Sequence, residues 1–120
     1  MKINFHSKKK DLEIVRTFKN IEKIIEKNIN LNISLVFVSE SEIKKLNKRW
    51  REKNEVTDVL SFRYSETEGE IVICANQAKK QPGGINRVII HGALHLMGYA
   101  HDTRLKRHEM RLLENKILNG

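Results

Sequence analysis

The sequence predicts a single α+β domain over residues 1–120, with one mixed sheet of about four strands and helices packed around it. Its 120 residues suit one domain with one core and are too few for two ordinary domains. A hydrophobic fraction of 39% is typical of a compact globular protein. The apolar pattern gives the order strand, helix, strand, helix, two strands, then helices, which favours an α+β fold.

Four segments predict strands because they are short, apolar or alternating, and bounded by polar or turn residues. They are residues 1–6, 31–38, 56–63 and 70–74. A polar turn at residues 65–69 separates the last two, so we expect these two to form a hairpin.

Five segments predict helices from the helical spacing of their apolar residues. They are residues 8–27, 40–51, 75–81, 85–97 and 103–118. The fourth is apolar on nearly every side, which is typical of a buried helix, and Gly98 ends it. The expected core contacts of the last helix are Leu105, Met110, Leu113 and Ile117.

The predicted helix over residues 40–51 has a specific start and a strongly basic end. Ser39 and Glu42 fit a capping box at its first turn. We expect its inner face to carry Ile43, Leu46, Asn47 and Trp50. Its basic residues, on the helix and just after it, are Lys44, Lys45, Lys48, Arg49, Arg51 and Lys53.

The charge of the chain favours an anionic partner. There are 23 Lys and Arg residues against 15 Asp and Glu residues, a formal net charge of +8. A small basic domain attracts nucleic acid or an anionic membrane surface. A proteome that is generally rich in lysine gives the same excess, so charge alone does not identify the partner.

Cysteine use and hydropathy favour the cytoplasm. Cys74 is the only cysteine, which excludes an internally disulfide-stapled secreted domain. The first residues contain no apolar stretch long enough for a signal peptide. No segment approaches the roughly 18 apolar residues of a membrane-spanning helix. We therefore expect a cytoplasmic protein without a membrane partner.

Two histidines on the predicted buried helix indicate a metal site. His91 and His95 are four residues apart, so on a helix they project from one face, roughly 6 Å apart along the axis. One ion can bridge them, and neutral imidazoles are good zinc ligands. A structural histidine in an apolar helix is the common alternative, but two on one buried face would each need a partner.

A third histidine completes this predicted site. His101 would lie on a different face if the helix continued, but Gly98 can take the left-handed conformation that ends helices. The chain can then turn back and bring His101 to the same ion. Three protein ligands leave a fourth position open, which is typical of catalytic zinc. His6 and His108 lie outside this pattern, and we expect no functional role for them.

The histidine spacing matches that of the metzincin proteases except at one position. Gly92 stands where those enzymes have the glutamate that acts as general base. A zinc protease without that glutamate lacks its proton acceptor. The substitution therefore disfavours peptide hydrolysis.

The motif from His91 to His101, HGALHLMGYAH, resembles that of the YbeY family of bacterial endoribonucleases, also called rRNA maturation factors. Residues 47–51 (NKRWR), 57–62 (TDVLSF) and 69–73 (GEIVI) resemble further blocks of that family, in family order over about residues 30–118. Two departures are Ala100, where the family usually has Asp, and a shorter stretch between Cys74 and His91.

The resemblance implies an α+β fold, a zinc-dependent endoribonuclease specific for single-stranded RNA, and a role in 16S rRNA 3′-end maturation and ribosome quality control. It implies one zinc per chain, held by His91, His95 and His101, and an active-cleft arginine at Arg51. The expected partners are single-stranded RNA, ribosomal RNA and the small ribosomal subunit, with no DNA.

From the basic helix we expect Lys48 and Arg49 to contact the RNA backbone. Two alternatives stay open at this point. One is a metal-dependent hydrolase of another substrate, such as a peptidase. The other is a non-catalytic ribosome-binding protein that contains zinc.

Overall fold

The structure is a computed structural model that describes residues 3–7, 12–99 and 103–119. Its strands are β1 (Ile3–Ser7), β2 (Asn32–Phe37), β3 (Val59–Arg63) and β4 (Glu68–Ile73). Its helices are α1 (Leu12–Asn28), α2 (Glu40–Arg51), α3 (Ala75–Ala78), α4 (Gly84–Leu96) and α5 (Arg104–Leu118).

The four strands form one mixed sheet in the order β1-β2-β4-β3. β1 pairs with β2 and β2 pairs with β4 in parallel, whereas β3 and β4 form an antiparallel hairpin. The predicted α+β fold with a mixed sheet of about four strands is confirmed.

Helix α4 lies at the centre of the larger core. It packs on β3 and β4 on one side and contacts α1, α3 and α5 on others. Ile89, Ile90 and Leu94 are almost completely buried, so the prediction of a buried helix is confirmed. Because α4 packs against the sheet and three other helices, the backbone that carries its histidines is held in place.

The opposite face of the sheet is covered by α2. Alternation along β4 sends Ile71 and Ile73 into the core under α4, while Val72 packs with Ile43 and Leu60 on the other face. Helices therefore lie on both faces of the sheet. No helix among the described residues has both the length and the apolar character needed to cross a bilayer.

Two predicted core contacts are wrong. Trp50 is 60% exposed, although Ile43 and Asn47 on the same face of α2 are buried. The apolar face of α2 continues one turn beyond the part that the sheet covers. Leu105 is 67% exposed because residues 104–109, the first part of α5, are exposed throughout, and burial begins at Met110.

Several strands and helices begin or end at residues other than the predicted ones. β3 begins at Val59 rather than at residue 56, because its partner β4 ends at Ile73, the residue paired with Val59. β4 begins at Glu68 rather than at residue 70, because its parallel pairing with β2 extends to Asn32. α3 ends at Ala78, short of the predicted residue 81.

Candidate active site

A cleft of about 1120 Å³ opens where the C-terminal end of α2, strand β3, α4 and α5 meet. Its lining includes His91 and His95 from α4 and Arg51 from the last turn of α2. β3 contributes residues 59–63 to the lining. Three of the predicted site residues therefore face one cavity.

The two histidines on α4 form a close pair. Their ring centroids are 4.8 Å apart, with an angle of 75° between the ring planes. Both side chains are half-buried. This is the shared helix face that the spacing of His91 and His95 predicts.

The third predicted ligand, His101, lies outside the described residues, as do Ala100 and Asp102. Among residues 3–7, 12–99 and 103–119, no group of three or more His, Cys, Asp or Glu side chains is placed to hold a metal ion. The described part of the chain thus contributes a pair of imidazoles, and the assignment of His101 as the third ligand stays a prediction.

A buried carboxylate orients the first histidine. Oε2 of Glu114 lies 2.6 Å from Nδ1 of His91, and Oε1 of Glu114 accepts a hydrogen bond of 3.0 Å from Nη1 of Arg87. Glu114 is only 5% exposed. The second guanidinium nitrogen of Arg87 donates to Oδ1 of Asn115, which completes a network between α4 and α5.

The contact with Glu114 also determines which nitrogen of His91 would bind an ion. Metal-ligating histidines typically donate the other ring N–H to a carboxylate, which fixes the tautomer and raises the basicity of the ligand. With Nδ1 bonded to Glu114, Nε2 is the nitrogen through which His91 would ligate. The donor set therefore fits zinc, which prefers imidazole nitrogen.

Sequence reasoning missed Glu114 and Arg87. Glu114 is absent from the predicted site and from the expected core contacts of the last helix, because glutamates on amphipathic helices are usually solvated. The only signal in the sequence was the spacing, because Glu114 lies on the same face of the predicted helix as Met110 and Ile117, two expected core contacts. A carboxylate on a buried face needs a partner, but the spacing does not say which residue that partner is.

Gly92 has a steric role that the sequence did not reveal. A Cβ atom at this position would lie 3.0 Å from Oγ of Ser61 and 3.4 Å from methyl groups of Ile71 and Val59. The Gly92 carbonyl also accepts a hydrogen bond of 3.3 Å from Oγ of Ser61. α4 therefore rests directly on the sheet at position 92, and any side chain there would begin in tight contact with β3 and β4.

The predicted helix stop at Gly98 is confirmed. Gly98 has φ 97°, in the left-handed region. Its N–H donates to the carbonyl of His95 at 3.0 Å, and the N–H of Tyr99 donates to the carbonyl of Leu94 at 3.1 Å. These two bonds make a Schellman motif, which reverses the chain just before residues 100–102.

Arg51 reaches the cleft because of how α2 ends. Glu52 takes the left-handed conformation, with φ 59°, and stops the helix. Nδ2 of the buried Asn47 donates to the carbonyl of Glu55 at 2.9 Å and holds the following loop against α2. The capping box of Ser39 and Glu42 at the other end of α2 is confirmed.

The other predicted RNA contacts lie beside the cleft rather than in it. Lys48 and Arg49 are exposed on α2, and within the described part of the chain neither lines the cavity. The Arg49 guanidinium carbon lies 5.3 Å from the centroid of the Trp50 ring. His108 is exposed on α5, and the side chain of His6 lies outside those described.

Further arginines make the cleft basic. Arg63, Arg87, Arg107 and Arg111 line it together with Arg51. Arg63 is held in place by hydrogen bonds to the carbonyls of Ser65 and Glu66, each of 2.8 Å, and it also donates to the carbonyl of Leu96 at the end of α4. Cys74 takes no part in this site, since it is buried between α2 and the sheet, and burial raises the pKa of its thiol.

The fold and the site define a class: a one-sheet α+β protein with a histidine pair in an arginine-lined cleft. The family model of Endoribonuclease YbeY matches residues 2–120. The chain therefore belongs to the YbeY family, as its histidine motif and accompanying blocks indicate.

Relatives with the name Endoribonuclease YbeY match most of the chain. The protein of Thermodesulfovibrio yellowstonii is 40% identical over 119 residues, covering 85% of this chain and 75% of the relative. That of Staphylococcus aureus is 32% identical over 133 residues, covering 92% of this chain and 84% of the relative. The solution structure of a Thermotoga maritima protein is similar to this one, with a TM-score of 0.64 and 29% sequence identity. The match covers 98% of this chain and 87% of the other.

Proposed function

We propose that this protein is a zinc-dependent endoribonuclease that cleaves single-stranded RNA. The observation that carries the proposal is the orientation of His91 by the buried Glu114, beside His95, inside an arginine-lined cleft. Membership of the YbeY family, whose relatives are named endoribonucleases, supports the same activity.

In this proposal His91, His95 and His101 hold one zinc ion per chain. When bound, zinc supplies Lewis acidity at the phosphodiester. Glu114 and Arg87 keep the His91 ring in the orientation and tautomer that ligation requires. The Schellman turn at Gly98 sets the direction in which the chain leaves α4 toward residues 100–102.

Arg51 acts on the substrate. Arg51 lines the same cleft as the histidines, and the planar fork of donors in its guanidinium suits two oxygens of one phosphate. A charge that is already in place when the phosphorane-like transition state forms stabilises that state more than the ground state. We therefore assign Arg51 to transition-state stabilisation.

The charge around the cleft favours RNA as the substrate. Arg107 and Arg111 on α5 and Arg63 on β3 extend the positive surface beyond the histidines, and the whole chain carries +8. Lys48 and Arg49 lie on the adjoining surface of α2, where they would contact backbone phosphates outside the cleft. Such an array of positive charges is suited to binding the backbone of a polyanionic strand rather than a small ligand.

The biological role in this proposal is 3′-end maturation of 16S ribosomal RNA and ribosome quality control. The protein would act in the cytoplasm on ribosomal RNA in the small subunit. This part of the proposal rests on the family resemblance, and the basic cleft is compatible with it.

A peptidase is the weaker candidate. The position that carries the general base in metzincins is Gly92, where a Cβ atom would meet Ser61, Val59 and Ile71 of the sheet. Helix α4 contains no Asp or Glu that could serve as the general base instead. A non-catalytic zinc protein is also disfavoured, because a three-histidine site keeps an open position.

A cleavage assay with and without a chelator separates these candidates. The proposal predicts cutting of single-stranded RNA that stops with chelator and returns with added zinc, and no cutting of a peptide library. Peptide cleavage would favour the peptidase. Stoichiometric zinc without cleavage of either substrate would favour the non-catalytic protein.

A further inference from the structure

Trp50 is a large apolar side chain that folding leaves in solvent. It is 60% exposed, whereas Ile43 and Asn47 on the same face of α2 are buried. Burial of an indole is favourable, so leaving it in water forgoes stability. Because Trp50 also lines the cleft, its exposed indole offers a ligand in that cleft a large apolar surface.

The indole is held in a defined orientation. Phe62, half-buried on β3, meets it edge-on, with ring centroids 6.1 Å apart and an interplanar angle of 68°. The Arg49 guanidinium carbon lies 5.3 Å from the ring centroid of Trp50. Binding to a fixed aromatic side chain has a smaller entropic penalty than binding to a mobile one, because less side-chain freedom is lost.

Trp50 and the histidine pair belong to one cleft. Trp50 lines the cavity together with Arg51, its neighbour on α2. Phe62, which supports the indole, follows Ser61, whose hydroxyl donates to the carbonyl of Gly92 on α4. The indole and the histidines thus stand on neighbouring walls that β3 joins.

Resting on the function proposed above, we infer that Trp50 is a stacking platform for one unpaired nucleobase of the RNA, next to the phosphate that Arg51 contacts. Bases stack on aromatic side chains with little regard to sequence, and arginines beside the ring track the backbone. A base in a duplex is already stacked and cannot take this place. Trp50 would therefore contribute selectivity for single strands.

Intrinsic fluorescence tests this directly, because Trp50 is the only tryptophan of the chain. The probe is a mixed-sequence 2′-O-methyl oligoribonucleotide, with its integrity checked on a gel after each titration. Stacking predicts strong quenching that saturates with binding. Inorganic polyphosphate, which has the charge but no bases, should bind without comparable quenching. Equal quenching by both polyanions would overturn the inference.

Variants measure the size of the effect. Trp50→Ala should weaken binding of the oligonucleotide about tenfold or more, while Trp50→Phe should lose much less. Tyr64→Ala is the matched control, since Tyr64 is another exposed aromatic, at 67%, that does not line the cleft among the described residues. Wild-type affinity in Trp50→Ala would overturn the inference.

The two proposals fail in different ways. If the wild-type protein cleaves single-stranded RNA but Trp50 is neither quenched nor needed for affinity, the stacking role alone is wrong. If the wild-type protein neither binds nor cleaves the RNA, the proposed function is wrong and the stacking role falls with it. The quenching measurement uses unmodified protein, so a folding defect in a variant does not affect it.

Discussion

Nδ1 of His91 lies 2.6 Å from Oε2 of Glu114, and this contact joins α4 to α5 at the edge of the cleft. The other carboxylate oxygen accepts from Arg87, so Glu114 is held at both oxygens. One buried carboxylate thereby sets the orientation of a predicted metal ligand, and the metal affinity of the protein should depend on a residue that does not touch the metal.

Replacing Glu114 should weaken zinc binding. In Glu114→Gln the charge that supports the His91 imidazole is lost, and we expect the zinc dissociation constant to rise about 10- to 100-fold. Competition with a chromophoric chelator measures it. Glu109→Gln, an exposed position on the same helix, is the control and should bind zinc as the wild type does. Equal affinities in the two variants would leave Glu114 with a purely structural role.

The stability of variants at Gly92 should fall as the side chain at this position becomes larger, because α4 lies close to the sheet here. The Cβ atom of alanine would meet Oγ of Ser61 at 3.0 Å, a contact that a small shift relieves and that the better helix propensity of alanine offsets. Gly92→Ala should therefore be nearly neutral in the free energy of unfolding. Gly92→Val adds two methyl groups and should cost about 1–3 kcal/mol. Chemical denaturation measures both, and an equally stable valine variant would show that α4 can lift from β3.

Gly98→Val should damage the metal site without altering a ligand. The left-handed conformation at φ 97° resists a β-branched residue, while no described residue other than the chain neighbours lies within 4 Å of a Cβ there. Among the described residues the penalty is therefore conformational rather than steric. We expect zinc content to fall by more than half in Gly98→Val and to be largely kept in Gly98→Asn, because asparagine tolerates this conformation. Elemental analysis decides, and full zinc in the valine variant would contradict the role of the turn.

Arg51→Ala should keep the fold and the zinc but lose most RNA cleavage. Removing a preorganised charge of this kind slows the chemical step about 100-fold or more. Single-turnover cleavage with saturating protein separates chemistry from binding. Arg51→Lys should recover little, because an ammonium does not reproduce the two-pronged contact. Lys48→Ala, outside the cleft, should weaken binding modestly and leave the saturated rate close to wild type.

Local patterns predicted the parts of the fold that depend on local physics. The helix Glu40–Arg51 has the predicted ends, because the capping box of Ser39 and Glu42 specifies its start. His91 and His95 pair because four residues make about one helical turn. The start of β4 at Glu68 was missed, because it depends on pairing with Asn32, 36 residues away in the chain.

The errors in predicted burial, at Trp50 and Leu105, have a different cause. Helical periodicity identifies the face of a helix but not how far the rest of the protein extends along that face. Trp50 and Leu105 lie on apolar faces beyond the covered part of their helices, so they are exposed. Glu114 was missed for the opposite reason, because only the packing of α5 against α4 shows that its carboxylate is buried against His91.

The most direct test of the central claim is a zinc titration of chelator-treated protein, followed by single-turnover cleavage of single-stranded RNA at each point. The proposed site predicts that cleavage rises with zinc and levels off at about one equivalent per chain, and that the double variant His91→Ala, His95→Ala neither takes up the zinc nor cuts. Cleavage that is complete without zinc, or that survives in the double variant, would contradict a catalytic zinc at His91 and His95.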